Sequence, residues 1–305
     1  MPGSGLHLIL ADRVLAIAPG AVVDRETRIA YFAGCVAPDM GYCPGGDAFT
    51  SDLAHYVRSG ELVRSLANSA DSAIARAFGR GWATHVVADA LIHPLINRGV
   101  GALTGKNSRT FADDPGAHVR VEQGLDAVIA NRFSASVLWP AGVTAFQKPA
   151  VRVLSASYRM TYRYSADERT LAASCRALAR SIPILLGYGR ILERAFAANG
   201  VVDPVLRLAG RATALVPRIP LAGFLGPAKP PLWLVAETVE SIEDFPRRFL
   251  DAESRGFADL PDFNLDTGTL DSAVDYAPAH ATFEELHRRG GAGLTDLRDE
   301  GCVVN

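Results

Sequence analysis

The segment HVVADALIH, residues 85–93, constrains the chain more than any other stretch. Its apolar positions Val86, Val87, Ala90, Leu91 and Ile92 demand a buried helix, yet His85, Asp89 and His93 recur at every fourth position along one face. Residues four apart stand one turn above each other, roughly 6 Å along the axis. His85 and Asp89 can therefore bind one ion together. His93 lies roughly 12 Å from His85, whereas two donors on one zinc must each come within about 2.0–2.2 Å of it. The spacing asks for at least two metal ions, with Asp89 in the middle as the shared link.

Helical periodicity dominates the rest of the chain and strand signals are nearly absent, which predicts an all-α, multi-helix architecture. Ser4 caps a first helix running to about Ile17, and Pro19-Gly20 stops it. A second helix covers Asp24 to Cys35, and further helices are expected near 47–58, 60–76, 79–96, 116–132, 167–199 and 234–255. The break VAPDMGYCPGGD puts Asp39 outside regular structure. Residues 97–115 read as a long loop whose Lys106 and Arg109 either touch a phosphate or, the preferred reading, serve as solubilising charges. Residues 1–200 are expected to form the metal-binding helical domain. Residues 201–305 form a Pro- and Gly-rich extension packing on it, with FADLPDFNLDTGTLDSAVDYAP as irregular wrapping.

An apolar content of 49% over 305 residues is ample for a packed core. A formal charge of −2 gives no electrostatic footprint for nucleic acid. Cys35, Cys43, Cys175 and Cys302 are too scattered for a disulfide scaffold or a zinc knuckle, so reduced thiols are expected, with Cys35 in the core. The opening MPGSGLHLILADRVLAIAPG has no positive leader region, and Asp12 and Arg13 break its apolar run, which predicts a cytoplasmic protein without a secretory signal. The most apolar tract, 214–235, carries five prolines. It is read as lying over a cleft or making peripheral membrane contact, not as spanning a bilayer.

Other candidate donors gather in the same part of the chain. Five of the seven histidines fall within the first 118 residues. His118 and Glu122 form a second pair four apart, Asp39 follows a proline, His55 ends SDLAH, and His7 sits between leucines. A mixed set of imidazoles and carboxylates suits zinc better than magnesium or calcium, which favour all-oxygen shells. Any one such pair is more often a buried hydrogen bond or a surface ion pair. HATFE, His280 to Glu284, is read in that way as a solvated helix face, and Trp82 as core.

Taken jointly, His7, Asp39, His55, His85-x-x-x-Asp89-x-x-x-His93 and His118-x-x-x-Glu122 resemble the zinc-dependent phospholipase C family, whose relatives include the S1/P1 nucleases. The resemblance covers about the first 125 residues. It implies a phospholipase C-like helical domain with a multinuclear zinc cluster of two or three ions between its helices. By it, Asp39, His55, His85 and Asp89 would hold one zinc and His93, His118 and Glu122 a second. His7, the bridging Asp89 and the chain's N-terminal amine would hold a third. It further implies hydrolysis of a small phosphodiester or phospholipid, with Asp89 bridging and Asp39 orienting the attacking water or accepting its proton. In secreted relatives the N-terminal ligand is a tryptophan freed by processing; here Met1 lies six positions before His7. Where the phosphocholine-preferring member carries aromatic side chains, this sequence has Met40 and Asp52, so choline preference does not carry over. Two alternatives stand beside this reading. One is a nuclease or 3′-nucleotidase, which needs base-stacking aromatics at its cleft. The other is a non-catalytic helical interaction module held together by zinc.

Overall fold

A computed structural model describes residues 3–20, 22–140, 146–197, 227–260, 265 and 277–292. Among them are ten α-helices and no strand: α1 (Ser4–Ile17), α2 (Arg25–Val36), α3 (Ala48–Tyr56), α4 (Ser59–Ser69), α5 (Ala73–Thr104), α6 (Pro115–Arg132), α7 (Lys148–Tyr162), α8 (Glu168–Ala197), α9 (Leu232–Ser254) and α10 (Ala277–Arg288). Two short 3-10 turns, η1 (Ala37–Tyr42) and η2 (Ala135–Val137), complete the set. The fold is all-α, as the periodicity requires. No helix among the described residues is long and apolar enough to cross a membrane.

The long helix α5 organises the molecule, packing against α1, α2, α4, α6, α7 and α9. Its closest neighbour is α2, and two glycines set that approach. A β-carbon on Gly34 would lie 2.1 Å from the Phe78 carbonyl oxygen, and one on Gly81 would lie 2.0 Å from that of Tyr31. Only bare backbone fits on both sides of the crossing. Tyr31, Phe32, Phe78 and Trp82 fill the core around it, all fully buried.

Several boundaries differ from the sequence expectation. The helix expected at 79–96 begins at Ala73, where the Ser72 side chain accepts the Ala75 N–H, and it ends at Gly105 in the left-handed conformation. Residues 97–104 are thus helix, not loop. Pro94 removes one backbone donor, but buried Ile96 and Val100 continue the apolar stripe beyond it and hold the helix on course. The expected helix 60–76 stops at Ser69, where Ala70 turns to extended backbone before Ser72 caps α5. Asp39 lies within the turn η1, not outside regular structure.

Helix α7 has no counterpart in the sequence reading, because its Val, Ser, Thr and Tyr content is weak in helix propensity. It buttresses α3. The Tyr158 hydroxyl donates to the Thr50 carbonyl at 2.6 Å, and the Tyr162 hydroxyl lies 3.1 and 3.0 Å from the Leu53 and Val57 carbonyls. Helix α10 begins at the end of the stretch read as irregular. It exposes His280 and Glu284 to solvent and docks on α3 through the adjacent Arg289, which reaches Asp47 at 2.9 Å and lies 4.2 Å from the Phe49 ring centroid. Most of the remaining stretch read as irregular, the proline tract up to 226, and Cys302 lie outside the described residues. Cys35, Cys43 and Cys175 are free thiols, Cys35 in the core.

Candidate metal centre

All eight candidate donors are buried and converge from five elements: His7 on α1, Asp39 on η1, His55 on α3, His85, Asp89 and His93 on α5, and His118 and Glu122 on α6. They fall into three groups: Asp39, His55 and His85; His7, His85 and Asp89; and His93, His118 and Glu122.

Backbone carbonyls fix the orientation of three of the rings. The Nδ1 atoms of His55, His85 and His93 lie 2.7, 3.0 and 3.2 Å from the carbonyl oxygens of Ser51, Cys35 and Leu265. A carbonyl only accepts, so each Nδ1 carries a proton and each ring turns Nε2 toward the site, the nitrogen whose lone pair a bound cation would take. Such an outer hydrogen bond is the usual support of a metal-ligating imidazole. The crossing of α2 and α5 thus does chemical work: it brings the C-terminal carbonyl of Cys35 under His85.

At the first group, the Nε2 atoms of His55 and His85 stand 3.3 Å apart. Asp39 Oδ1 is 3.3 Å from His55 Nε2 and 3.7 Å from His85 Nε2. Asp89 Oδ2 is 3.4 and 3.3 Å from the same two nitrogens. Four donors at about 2.0–2.1 Å from a tetrahedral zinc would be separated by about 3.3–3.4 Å, so these five separations are close to the edges of such a tetrahedron. The second carboxylate oxygen of Asp89, Oδ1, faces His7 Nε2 at 3.3 Å. Asp89 therefore presents one oxygen to each of two groups. His7 itself stacks on His85, centroids 3.9 Å apart.

The third group is centred on Glu122 Oε1, which is 3.0 Å from His118 Nε2 and 3.6 Å from His93 Nε2. Phe111 stands edge-on to His118, with centroids 5.6 Å apart.

Buried polar atoms ordinarily find partners. Here both ring nitrogens of His7, both carboxylate oxygens of Asp39 and of Asp89, and His118 Nδ1 meet none at hydrogen-bonding geometry among the described residues. Their neighbours lie at close range but out of line. Donor atoms aimed at a common point instead of at each other are what a cation requires, and the residues present fit zinc.

The charges agree. Burial would raise the carboxyl of Asp39, but the imidazoles of His85 and His55 reverse this and hold it below the ordinary range. The same balance, with His85 and His93 foremost, holds Asp89 well below it. Burial also opposes ionisation of Glu122, and nearby positive charge, His118 included, brings it down regardless. Burial disfavours a charged His55, yet Asp39 and Asp89 push it up to about 10. Burial and the stacked His85 lower His7 to about 4. Two adjacent buried carboxylates thus draw positive charge into the site.

A cavity of about 720 Å³ opens on these groups, with His55 and Glu122 in its wall. Tyr42, Phe49, Asp52, Tyr56 and Phe111 line it near the donors; Leu185, Tyr188 and Leu192 of α8 and Ala281 and Thr282 of α10 line it further out. Asp52 accepts the Tyr42 hydroxyl at 2.9 Å. Met40 is fully buried and takes no part in the lining. Asp126, one turn beyond Glu122, also faces the cavity, and its Oδ1 accepts the Leu6 N–H at 2.8 Å. The sequence reading did not single out Tyr56, Phe111, Asp126 or the α8 and α10 walls, because each belongs to a separate element and no short spacing links them to the histidines. Arg109 lies 3.7 Å from Asp114, Lys106 is exposed, and neither lines the cavity.

A family model described as zinc dependent phospholipase C matches residues 6–184, a segment that contains all eight donors. No curated protein matches the chain, and no solved structure matches it.

Proposed function

The chain belongs to the zinc-dependent phospholipase C family, and from that premise we propose that it hydrolyses a phosphodiester, with a small glycerophospholipid-like ester as substrate. The observation that supports this most directly is the convergence of eight buried candidate donors beside a substrate-sized cavity that has His55 and Glu122 in its wall. In this reading Asp39, His55, His85 and Asp89 hold one zinc and His93, His118 and Glu122 another. His7 and Asp89 offer part of a third site, whose remaining donor, the N-terminal amine, lies outside the described residues.

Zinc bound there would polarise the phosphoryl oxygens and lower the pKa of a water. The chain's own residues do the rest. Asp89 ties two groups together through its separate oxygens. Asp39 would offer Oδ1 to the ion beside His55 and His85, and its second oxygen would accept the proton of the attacking water. The outer hydrogen bonds of His55, His85 and His93 keep their lone pairs aimed inward. The apolar walls from Phe49, Leu185 and Leu192 exclude water and accommodate the non-polar part of the ester. A purely structural zinc module would have no need of such a cavity beside its donors.

The test is metal analysis of the purified protein together with hydrolysis of bis-p-nitrophenyl phosphate and of short-chain phospholipids. Two or three zinc ions per chain and turnover of both substrates are expected. Asp89→Asn should bind less zinc and lose at least roughly 100-fold in rate, the scale of removing one charge-stabilising group from an active site. Bound zinc without turnover of either substrate, or full activity in Asp89→Asn, would overturn the proposal. Cleavage of single-stranded nucleic acid in their place would favour the nuclease reading.

A further inference from the structure

Helix α8 forms one wall of the cavity, yet its outer face is unlike an ordinary solvated surface. Arg176, Arg180, Arg190 and Arg194 are exposed along it, and Ile184 and Ile191 stand between them at 63% and 43% exposure. At about 100° per residue these six positions fall within roughly 120° of arc. The helix's two acidic residues, Glu168 and Glu193, lie outside that arc. Among the described residues none of the four arginines forms an ion pair. The whole chain carries a formal charge of −2, so this concentration of positive charge is local.

The face is also continuous with the cavity. Ile184 lies about 40° around the helix from Tyr188, and Ile191 immediately precedes Leu192; Tyr188 and Leu192 both line the cavity wall. Exposed aliphatic side chains among unpaired arginines are unfavourable in water. They suit the boundary between lipid headgroups and acyl chains, where apolar tips insert and guanidinium groups meet phosphates. A nucleic acid would match the charge but leave the isoleucines without a partner.

We propose that this face of α8 docks the protein on an anionic lipid bilayer, setting the cavity beside the surface that supplies its substrate. The choice of a lipid surface rests on the phospholipid reading above, while the positive and apolar character of the face does not.

The experiment is co-sedimentation of the full-length, zinc-loaded protein with vesicles of phosphatidylcholine alone and of phosphatidylcholine with about a third phosphatidylserine. Binding should be stronger on the anionic vesicles and weaken as salt is raised. The double variant Arg180→Gln/Arg190→Gln should bind them about 30-fold less tightly, each arginine being worth about 5-fold near such a surface. Ile184→Asn should weaken binding to both compositions. Circular dichroism and turnover of soluble bis-p-nitrophenyl phosphate should not change in either variant, since none of these residues touches the donors or the cavity. Equal binding to both vesicle types, or variants that bind like the parent, would overturn the proposal. So would a dimer dissociated by Ile184→Asn, or arginine-dependent binding of duplex DNA without vesicle binding. Arginine-dependent vesicle binding by a protein that hydrolyses no phosphodiester would uphold the docking face and refute the catalytic reading; hydrolysis without vesicle binding would do the reverse.

Discussion

At the scale of single residues, the site depends on groups that bear on the donors from outside. Asp126 is one of them: it caps the N-terminal end of α1, the helix that carries His7, and burial pushes its carboxyl up to about 6. Because that folded value lies above the ordinary 3.8, the protonated form contributes stability that is fully present below about pH 3.8 and lost as pH rises through about 6. Asp126→Asn keeps the carbonyl acceptor for Leu6 and removes the ionisation. Its melting temperature relative to the parent should therefore become more favourable between pH 4 and pH 7, by the equivalent of roughly 1–2 kcal/mol. Parallel thermal melts across that range check this, and a difference independent of pH would show that Asp126 does not titrate in the way its burial implies. The candidate donors on α5 and α6 were legible in the sequence because residue type and local spacing mark them, and His7, Asp39 and His55 joined them through the family resemblance. Asp126 was not, since its partner is 120 positions away.

At the scale of elements, the crossing of α2 and α5 sets the position of His85. A β-branched side chain at Gly81 would meet the Tyr31 carbonyl, and the helices would have to separate. Gly81→Val should cost about 3 kcal/mol, at the upper end of overpacking penalties, and should lower zinc content because Cys35 would retreat from His85. Gly187→Ala on α8 is the control. Nothing lies near its added β-carbon, so it should stabilise by about 0.5–1 kcal/mol through helix propensity. Chemical denaturation with metal analysis distinguishes the two. Helix α5 was legible as a helix, but its length was not. Gly99, Gly101 and Gly105 read locally as the start of a loop, whereas the buried packing of Ile96 and Val100 carries the helix on to Thr104. Helix α7 was missed for the converse reason: its stability comes from the tyrosines that clamp α3, not from its own propensity.

At the scale of the whole molecule, five elements meet at the donor groups, so a bound cation would cross-link most of the first 132 residues. Removal of metal by a chelator should lower the melting temperature by roughly 10 °C, because a ligand present at about 1,000 times its dissociation constant contributes about 4 kcal/mol. Zinc added back should restore the transition, as read by scanning calorimetry. An unchanged melt would mean that the donor groups hold no ion that bridges the elements.

The sequence by itself determined the helical class and marked out eight candidate donors, those on α5 and α6 by their spacing, because a helix converts spacing into distance without help from the rest of the chain, and His7, Asp39 and His55 by their order in the family resemblance. Tertiary structure alone decided how the three donor groups are assembled, which carbonyls orient the imidazoles and which walls enclose the cavity. Those features depend on contacts between residues far apart in the chain, such as Leu265 with His93 and α10 with α3, and no local pattern encodes them.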